Sequence, residues 1–230
     1  MIQKSYKKAR IFTFKIFDEY SDLITAVVFS RDTDIDNRSE ISQILNAEHS
    51  AISFENQMHS PKVHIVENHG IPIGGDALIT QQRNLPIAIR IADCAGIMLF
   101  DPQTKTIANI HAGWRGLANK VIEATIKTMQ EKFAIEPQNI RAAISPMIGK
   151  CCSSFSNPTL ELPKHMHKFI EKNNHVDLNA TTEFQLKKCG VKFIENADVC
   201  TACDHDNKKL FWSHRRDPKC GRFGTAIVLK

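Results

Sequence analysis

Apolar positions in the first half of the chain fall in short runs divided by polar turns. The runs are Ile11–Phe17, Ile24–Phe29, Ala51–Glu55, Lys62–Val66, Asp76–Thr80, Pro86–Ala92, Gly96–Phe100 and Thr106–Ile110. Their length and β-branched content predict strands. Arg31–Asn37 reads as a polar turn, Asn68–Gly75 as a loop, and Glu40–Leu45 as a short helix capped by Asp36 or Ser39. The second half begins with a helical pattern over Gly116–Phe133, where Ala118, Ile122, Ile126, Met129 and Phe133 share one face. A strand is expected at Arg141–Ser145, a loop over Pro146–Cys152 and a helix over Leu160–Glu171. Asp177 caps a further helix running to Cys189 and stopped by Gly190. Val191–Ile194, Leu210–Trp212 and Arg222–Leu229 read as closing strands. Strands and one long helix mix without regular βαβ alternation, and no stretch has linker composition. The expectation is one α+β domain over residues 1–230, a mixed β-sheet core flanked by helices.

Composition narrows the function classes. Apolar residues make up 42% of the chain, enough for a real core. The net charge of +5 is scattered, and no basic run is interleaved with aromatics, so no nucleic-acid partner is expected. No stretch is long and apolar enough for a membrane span. The segment Met1–Phe17 is basic and then apolar, but Lys15 interrupts it and no small-residue cleavage site follows. With no export signal, the seven cysteines are expected to be reduced thiols in a cytoplasmic protein.

The runs at Gly96–Phe100 and Thr106–Ile110 flank a turn at Asp101-Pro102. A hairpin there brings Asp93 and Cys94 beside His111, next to Gly113, Trp114, Arg115 and Gly116. His59 closes another predicted strand. Imidazole and thiolate are natural zinc ligands, and three ligands with an open fourth position is the catalytic pattern. The bland alternative is a surface His59 and a buried Cys94 thiol. A third reading makes Cys94 a nucleophile with His111 as its base.

The motifs run in order: Gln57-Met58-His59-Ser60, Asp76-Ala77-Leu78-Ile79-Thr80, Ala92-Asp93-Cys94, His111-Ala112-Gly113-Trp114-Arg115-Gly116, Ser145-Pro146 through Cys151-Cys152, Cys200-Thr201-Ala202-Cys203, Trp212 through Asp217, and Gly221-Arg222-Phe223. In this order they resemble the multicopper polyphenol oxidase-like, or laccase-domain, family, now regarded as purine nucleoside phosphorylases and adenosine deaminases. The resemblance covers nearly the whole chain. It implies a zinc site at His59, Cys94 and His111, with copper as the alternative metal, and a monomer whose fold is similar to that of cysteine-dependent toxin deamidases. It implies adenosine, inosine or methylthioadenosine as substrates, cleaved with phosphate to free base and ribose 1-phosphate, and adenosine deamination. Asn37-Arg38 matches a polar-site motif, which makes Arg38 a candidate substrate contact. The chain departs from the pattern at four places. Gly96 stands where a proline is usual, and the loop Arg31–Asp36 is short. Ser153 and Ser154 follow the double cysteine in place of an aromatic, and Trp212 and His214 replace Phe and Tyr.

Phosphorolysis needs an anion held near the anomeric carbon, and the planar fork of arginine suits phosphate. Arg38, Arg115, Arg215 and Arg216 are the candidates. Deamination needs an activated water. The H-x-E and P-C-x-x-C signature of nucleobase deaminases is absent, so Asp93 is the nearest candidate proton shuttle; the alternative is a carboxylate that caps the turn or holds a ligand histidine. Cys200-x-x-Cys203, with His205, His214 and Cys220 nearby, reads as packing ahead of a second zinc site. Cys151-Cys152 is expected to line the pocket without a disulfide. Two enzyme rivals remain besides a non-catalytic binding module. A copper-dependent polyphenol oxidase needs several histidine-rich centres, and His165-x-His167 is the only HxH pair. A cysteine hydrolase editing cell-wall precursors would use Cys94 and His111.

Overall fold

The computed structural model describes residues 1–6, 9–48, 50–53, 56–67, 72–203 and 210–230. Its strands are β1 (Ile2–Tyr6), β2 (Ala9–Thr13), β3 (Ile24–Phe29), β4 (Val63–Ile65), β5 (Ala77–Thr80), β6 (Ile87–Ile91), β7 (Ala95–Asp101), β8 (Thr106–Ala112), β9 (Arg141–Ile144), β10 (Phe193–Asn196) and β11 (Phe223–Leu229). Its α-helices are α1 (Arg38–Leu45), α2 (Trp114–Ala118), α3 (Val121–Phe133), α4 (Pro158–Glu161) and α5 (Leu178–Lys188). The α+β class holds, with two sheets in place of one. The first is antiparallel throughout, in the order β1-β2-β3-β11-β6; the second has the order β10-β9-β7-β8-β5-β4 and is parallel at both edges.

Alternation along the strands stacks these elements in four layers. Phe12, Val28, Ile87, Ile89 and Ile227 of the first sheet pack against Leu78, Met98, Phe100 and Ile107 of the second. The far face of the first sheet carries Ile11, Val27, Phe29 and Val228 against Ile41, Ile44 and Leu45 of α1. The far face of the second carries Ile97, Leu99, Ala108 and Ile110 against Val121, Ile122, Ile126 and Met129 of α3. Fully burying each such Val, Leu, Ile, Phe or Met side chain contributes about 1.5–3 kcal/mol. One polar pair is sealed between the sheets. Asn109 donates to the carbonyls of Ile87 and Thr225 at 3.1 and 3.0 Å and accepts from Thr225 Oγ1 at 2.8 Å, so nothing polar is left unpaired there.

The hairpin at Asp101-Pro102 is the centre of the second sheet, with Gly96 opposite His111. Several expected elements differ. The strand expected over Ile11–Phe17 ends at Thr13, and Lys15–Tyr20 forms a 3₁₀ turn that buries both Phe14 and Phe17. The helix over Gly116–Phe133 is two helices. Lys120 takes φ 61° between them, which turns α3 so that its apolar stripe lies flat on the sheet. Pro163, lacking an N–H, breaks the helix expected over Leu160–Glu171 into α4 and a 3₁₀ turn at Lys164–Phe169. Of the strand expected over Ala51–Glu55, the described residues 51–53 show a bridge from Ile52 to Ile87, and Phe54 and Glu55 lie outside the described residues, as do 68–71 of the expected loop. Leu210–Trp212 forms no strand, and the strand expected at Val191–Ile194 lies at Phe193–Asn196. The cap of α1 is Asn37, whose side chain accepts from Glu40 N, where Asp36 or Ser39 was expected. Asp177 caps α5 as anticipated, accepting from Ala180 N.

Candidate active site

Three residues, Ala92-Asp93-Cys94, carry the chain from β6 in the first sheet to β7 in the second. So short a switch needs a sharp turn, and Asp93 supplies it at φ 83°, a conformation uncommon outside glycine. Its carboxylate then ties the turn down. Oδ1 accepts from Thr201 Oγ1 at 2.6 Å and Oδ2 from Arg215 N at 2.6 Å, and the Asp93 carbonyl accepts from Ile148 N at 2.8 Å. The candidate proton shuttle is thus engaged at both oxygens and capping a turn.

The next residue is Cys94. Its sulfur lies 3.7 Å from His59 Nε2, and the ligand atoms of His59, Cys94 and His111 all lie within 4.8 Å of one another. The three residues separated by 35 and 17 positions in sequence therefore meet. Gly113 makes this approach feasible, because a Cβ there would sit 2.6 Å from Cys94 Sγ and 2.9 Å from His59 Cδ2.

A residue the sequence did not single out for the site holds it together. Asp76 is wholly buried at the start of β5. Its Oδ1 accepts from His59 N at 2.9 Å and pairs with His111 Nδ1 at 2.8 Å. Its Oδ2 accepts from Ser60 N at 2.7 Å, Ser60 Oγ at 2.8 Å and Met58 N at 3.3 Å. His59 adopts φ 56°, which aims three successive amides at one anion. Asp76 so fixes the backbone of one histidine and the ring of the other, leaving Nε2 of His111 as its available nitrogen. The sequence signals were its place in the Asp76–Thr80 motif and at the head of an apolar strand, and neither assigned it a role.

Charge follows the geometry. Burial pushes the Cys94 thiol up, but the adjoining His111 charge, with hydrogen bonds from His111 and His59, brings it down to about 6. Burial pushes His111 down, and Cys94 and Asp76 together raise it to about 9. Burial likewise opposes ionisation of Asp76, yet its bonds to His111 and Ser60 bring it to about 2. The thiol is poised as a thiolate at neutral pH, the form that binds metal or attacks carbon. The donor set fits zinc. A tetrahedral ion with ordinary Zn–S and Zn–N bonds separates S and N by about 3.6 Å, close to the 3.7 Å between Cys94 and His59.

These groups line a cleft of about 950 Å³, within the range of roughly 300–1,000 Å³ that takes small molecules. Trp114 meets Phe155 edge-on at 5.6 Å, and Arg115 lies over the Trp114 ring at 4.1 Å. Arg215 also lines the cleft, its guanidinium donating to Cys152 O, Ser154 Oγ and Ser154 O. Arg38 is on the first turn of α1 and is not among the lining residues, whereas Asp36 and its ion-pair partner Arg90 are. Arg216 points away into structure, donating to the carbonyls of Thr201 and Phe211.

Cys200 and Cys203 gather with Cys151 and Cys152, not with His214 and Cys220, and His205 lies outside the described residues. Among the described residues, these four cysteines and the His59–Cys94–His111 group are the clusters able to hold a metal ion. His165 and His167 lie in a 3₁₀ turn, with His167 Nε2 at 2.9 Å from the Leu162 carbonyl.

Two stacked sheets with a His–Cys–His cluster at a cleft define an α+β protein with a group able to hold a metal ion at a sheet switch. The model of the multi-copper polyphenol oxidoreductase laccase family matches residues 30–230, and the chain belongs to that family. It is 31% identical to a purine nucleoside phosphorylase of Aquifex aeolicus over 75% of this chain and 80% of that one. It is 27% identical to adenosine deaminase RL5, from an unknown prokaryotic organism, over 85% of this chain and 82% of that one. Among solved structures, the hypothetical protein YfiH of Bacillus licheniformis aligns with a TM-score of 0.83 at 24% identity, covering 98% of this chain and 100% of that one, a likeness of fold.

Proposed function

We propose that this chain is a zinc-dependent purine nucleoside phosphorylase that also deaminates adenosine. The observation that carries the reading is the cluster of His59, Cys94 and His111 at the cleft, with one buried carboxylate, Asp76, orienting both histidines. The names of the relatives point to purine nucleosides, adenosine among them; inosine and methylthioadenosine are the further substrates we propose. His59, Cys94 and His111 would hold the zinc, which supplies Lewis acidity when bound there. The remaining chemistry belongs to the chain. Trp114 and Phe155 offer aromatic surface for a purine. Arg115, its guanidinium 4.1 Å over the Trp114 ring inside the cleft, is the anion contact we assign to phosphate ahead of Arg38. A phosphate oxygen bonds to the anomeric carbon as the glycosidic C–N bond breaks and its electron pair leaves with the base. Arg215, bound to the Ser154 loop, positions that wall. Asp93 positions Cys94 and the Arg215 backbone, because both its carboxylate oxygens already accept hydrogen bonds.

Against a multi-copper oxidase stands the shortage of histidine clusters among the described residues. The low pKa of Cys94 favours a second reading, Cys94 as nucleophile and His111 as base, the arrangement a hydrolase of cell-wall precursors would need. A second imidazole, His59, at 3.7 Å from the same sulfur favours zinc. We take the protein to be a cytoplasmic monomer, where the seven free cysteines stay reduced. The deciding assay is base release from adenosine and inosine with and without phosphate. The expected result is release only with phosphate; an equal rate in phosphate-free buffer refutes phosphorolysis.

A further inference from the structure

Four cysteines that the active site does not use meet at the surface. The sulfurs of Cys151, Cys152, Cys200 and Cys203 all lie within 4.8 Å of one another. They come from two loops distant in sequence, one following β9 and one following β10. Because β9 and β10 pair in parallel, both loops leave the sheet at the same end. The pairing continues past the strands through a bridge between Met147 and Cys200, with Thr201 N donating to Met147 O at 3.1 Å and Met147 N to Val199 O at 3.2 Å. The fold itself thus delivers a double cysteine to a C-x-x-C turn.

Packing does not account for the cluster. A thiol recruited as a small apolar group is ordinarily well buried, yet Cys151 is exposed and the other three are half-buried. Nor is the group a pair of bridges, since all four cysteines are free thiols. The arrangement has the features of a closed ligand set. Four thiolates at about 2.3 Å from a tetrahedral zinc lie about 3.8 Å apart; here Cys151 Sγ and Cys203 Sγ are 3.1 Å apart and all four sulfurs lie within 4.8 Å of one another. Backbone N–H groups of Gly149 and Cys203 point at Cys200 Sγ at 3.2 and 3.4 Å, the outer support that fixes a metal-binding thiolate. Gly149 leaves the space open. A Cβ there would stand 3.1 Å from Cys200 Cβ and 3.3 Å from Cys151 Sγ.

We infer that Cys151, Cys152, Cys200 and Cys203 form a second, closed zinc site that staples the two loops. The role follows from what those loops hold. The Cys151-Cys152 loop continues into Ser154, and Cys152 O and Ser154 are the acceptors of the Arg215 guanidinium. The Cys200–Cys203 loop carries Thr201, whose hydroxyl holds Asp93 beside Cys94. The ion therefore braces a wall of the cleft from outside, and soft sulfur ligands with no open position suit a structural role, not a catalytic one.

The test uses the full-length His59→Ala/Cys94→Ala variant, so that it does not depend on the catalytic reading. Zinc is counted by native mass spectrometry and elemental analysis. The expected content is one zinc per chain, falling to none when Cys200→Ser and Cys203→Ser are added. Cobalt substitution of the same variant is expected to give an intense thiolate-to-cobalt charge-transfer band. Should the serine variant not fold, alkylation of folded wild-type protein decides: the four cysteines are expected to react only after chelation. A metal-free His59→Ala/Cys94→Ala protein, or a disulfide between Cys151 and Cys203 in freshly purified enzyme, overturns the inference.

Discussion

Replacing Asp76 by asparagine removes one charge and changes almost no volume, so it isolates what the carboxylate does. All five of its partners are donors: Met58 N, His59 N, Ser60 N, Ser60 Oγ and His111 Nδ1. An amide cannot satisfy them. With its NH₂ in the Oδ1 position it faces the His59 amide and the His111 ring; in the Oδ2 position it faces Ser60. Hydrogen bonds to a charged group contribute about 1.5–3 kcal/mol each. Losing the equivalent of one or two should therefore destabilise the metal-free protein by roughly 3 kcal/mol. Removing the outer partner of a ligand histidine weakens metal binding by about 10–100-fold, which is about 1.4–2.7 kcal/mol. Denaturant unfolding of the zinc-free protein reads the first quantity, and competition with a chromophoric chelator reads the second. An Asp76→Asn protein with unchanged unfolding midpoint and wild-type zinc affinity would refute the claim that Asp76 organises the site.

Other outcomes follow from the same geometry. If Cys94 is a zinc ligand, it should resist alkylation until zinc is chelated, and His59→Ala should lose both metal and activity; an active, metal-free His59→Ala enzyme would sink the zinc mechanism in favour of the Cys94–His111 dyad. Asp93→Ala strands the Thr201 hydroxyl and the Arg215 amide, so it should cost about 1–3 kcal/mol of stability; lost turnover with unaltered stability would instead restore Asp93 as a proton shuttle. A Cβ at Gly96 would stand 2.6 Å from Thr225 Oγ1, between the sheets. Gly96→Ala should therefore lower thermal stability by roughly 1–3 kcal/mol, and an unchanged melting temperature would show that the sheets have slack.

The sequence pattern carried the fold where local signals were strong. The turn at Asp101-Pro102 between two apolar runs announced the hairpin, and the hairpin alone set Cys94 and His111 on one rim. Helix α5 was legible at both ends, through Asp177 and Gly190. The break at Lys120 was not, because neither glycine nor proline marks it; the left-handed residue is imposed by how α3 must lie on its sheet. Asp76 stayed hidden for another reason. Most of its partners are backbone amides of residues 58–60, and no side-chain pattern records where an amide points. The four-cysteine cluster required knowing that β9 and β10 run parallel, which a lone C-x-x-C does not reveal.

The departures from the family pattern are arranged around the His59–Cys94–His111 cluster and not on it. Gly96 lies behind the site, in contact with Thr225 between the sheets. Ser154, where an aromatic is usual nearby, accepts from Arg215 on the cleft wall. His214 lines the same cleft, while Trp212 is set back beneath Arg31, whose guanidinium lies 4.1 Å from its ring. Cys94 is fixed by the three-residue switch between sheets and by Asp93, and the histidines by Asp76; none of these restraints runs through the altered positions. The side chains of Ser153, Ser154, Phe155 and His214 can therefore change their polarity while the Arg215 amide keeps its hold on Asp93. On the purine nucleoside reading, preference among bases should be sought in Ser153, Ser154, Phe155 and His214, while the reaction itself should survive substitutions there.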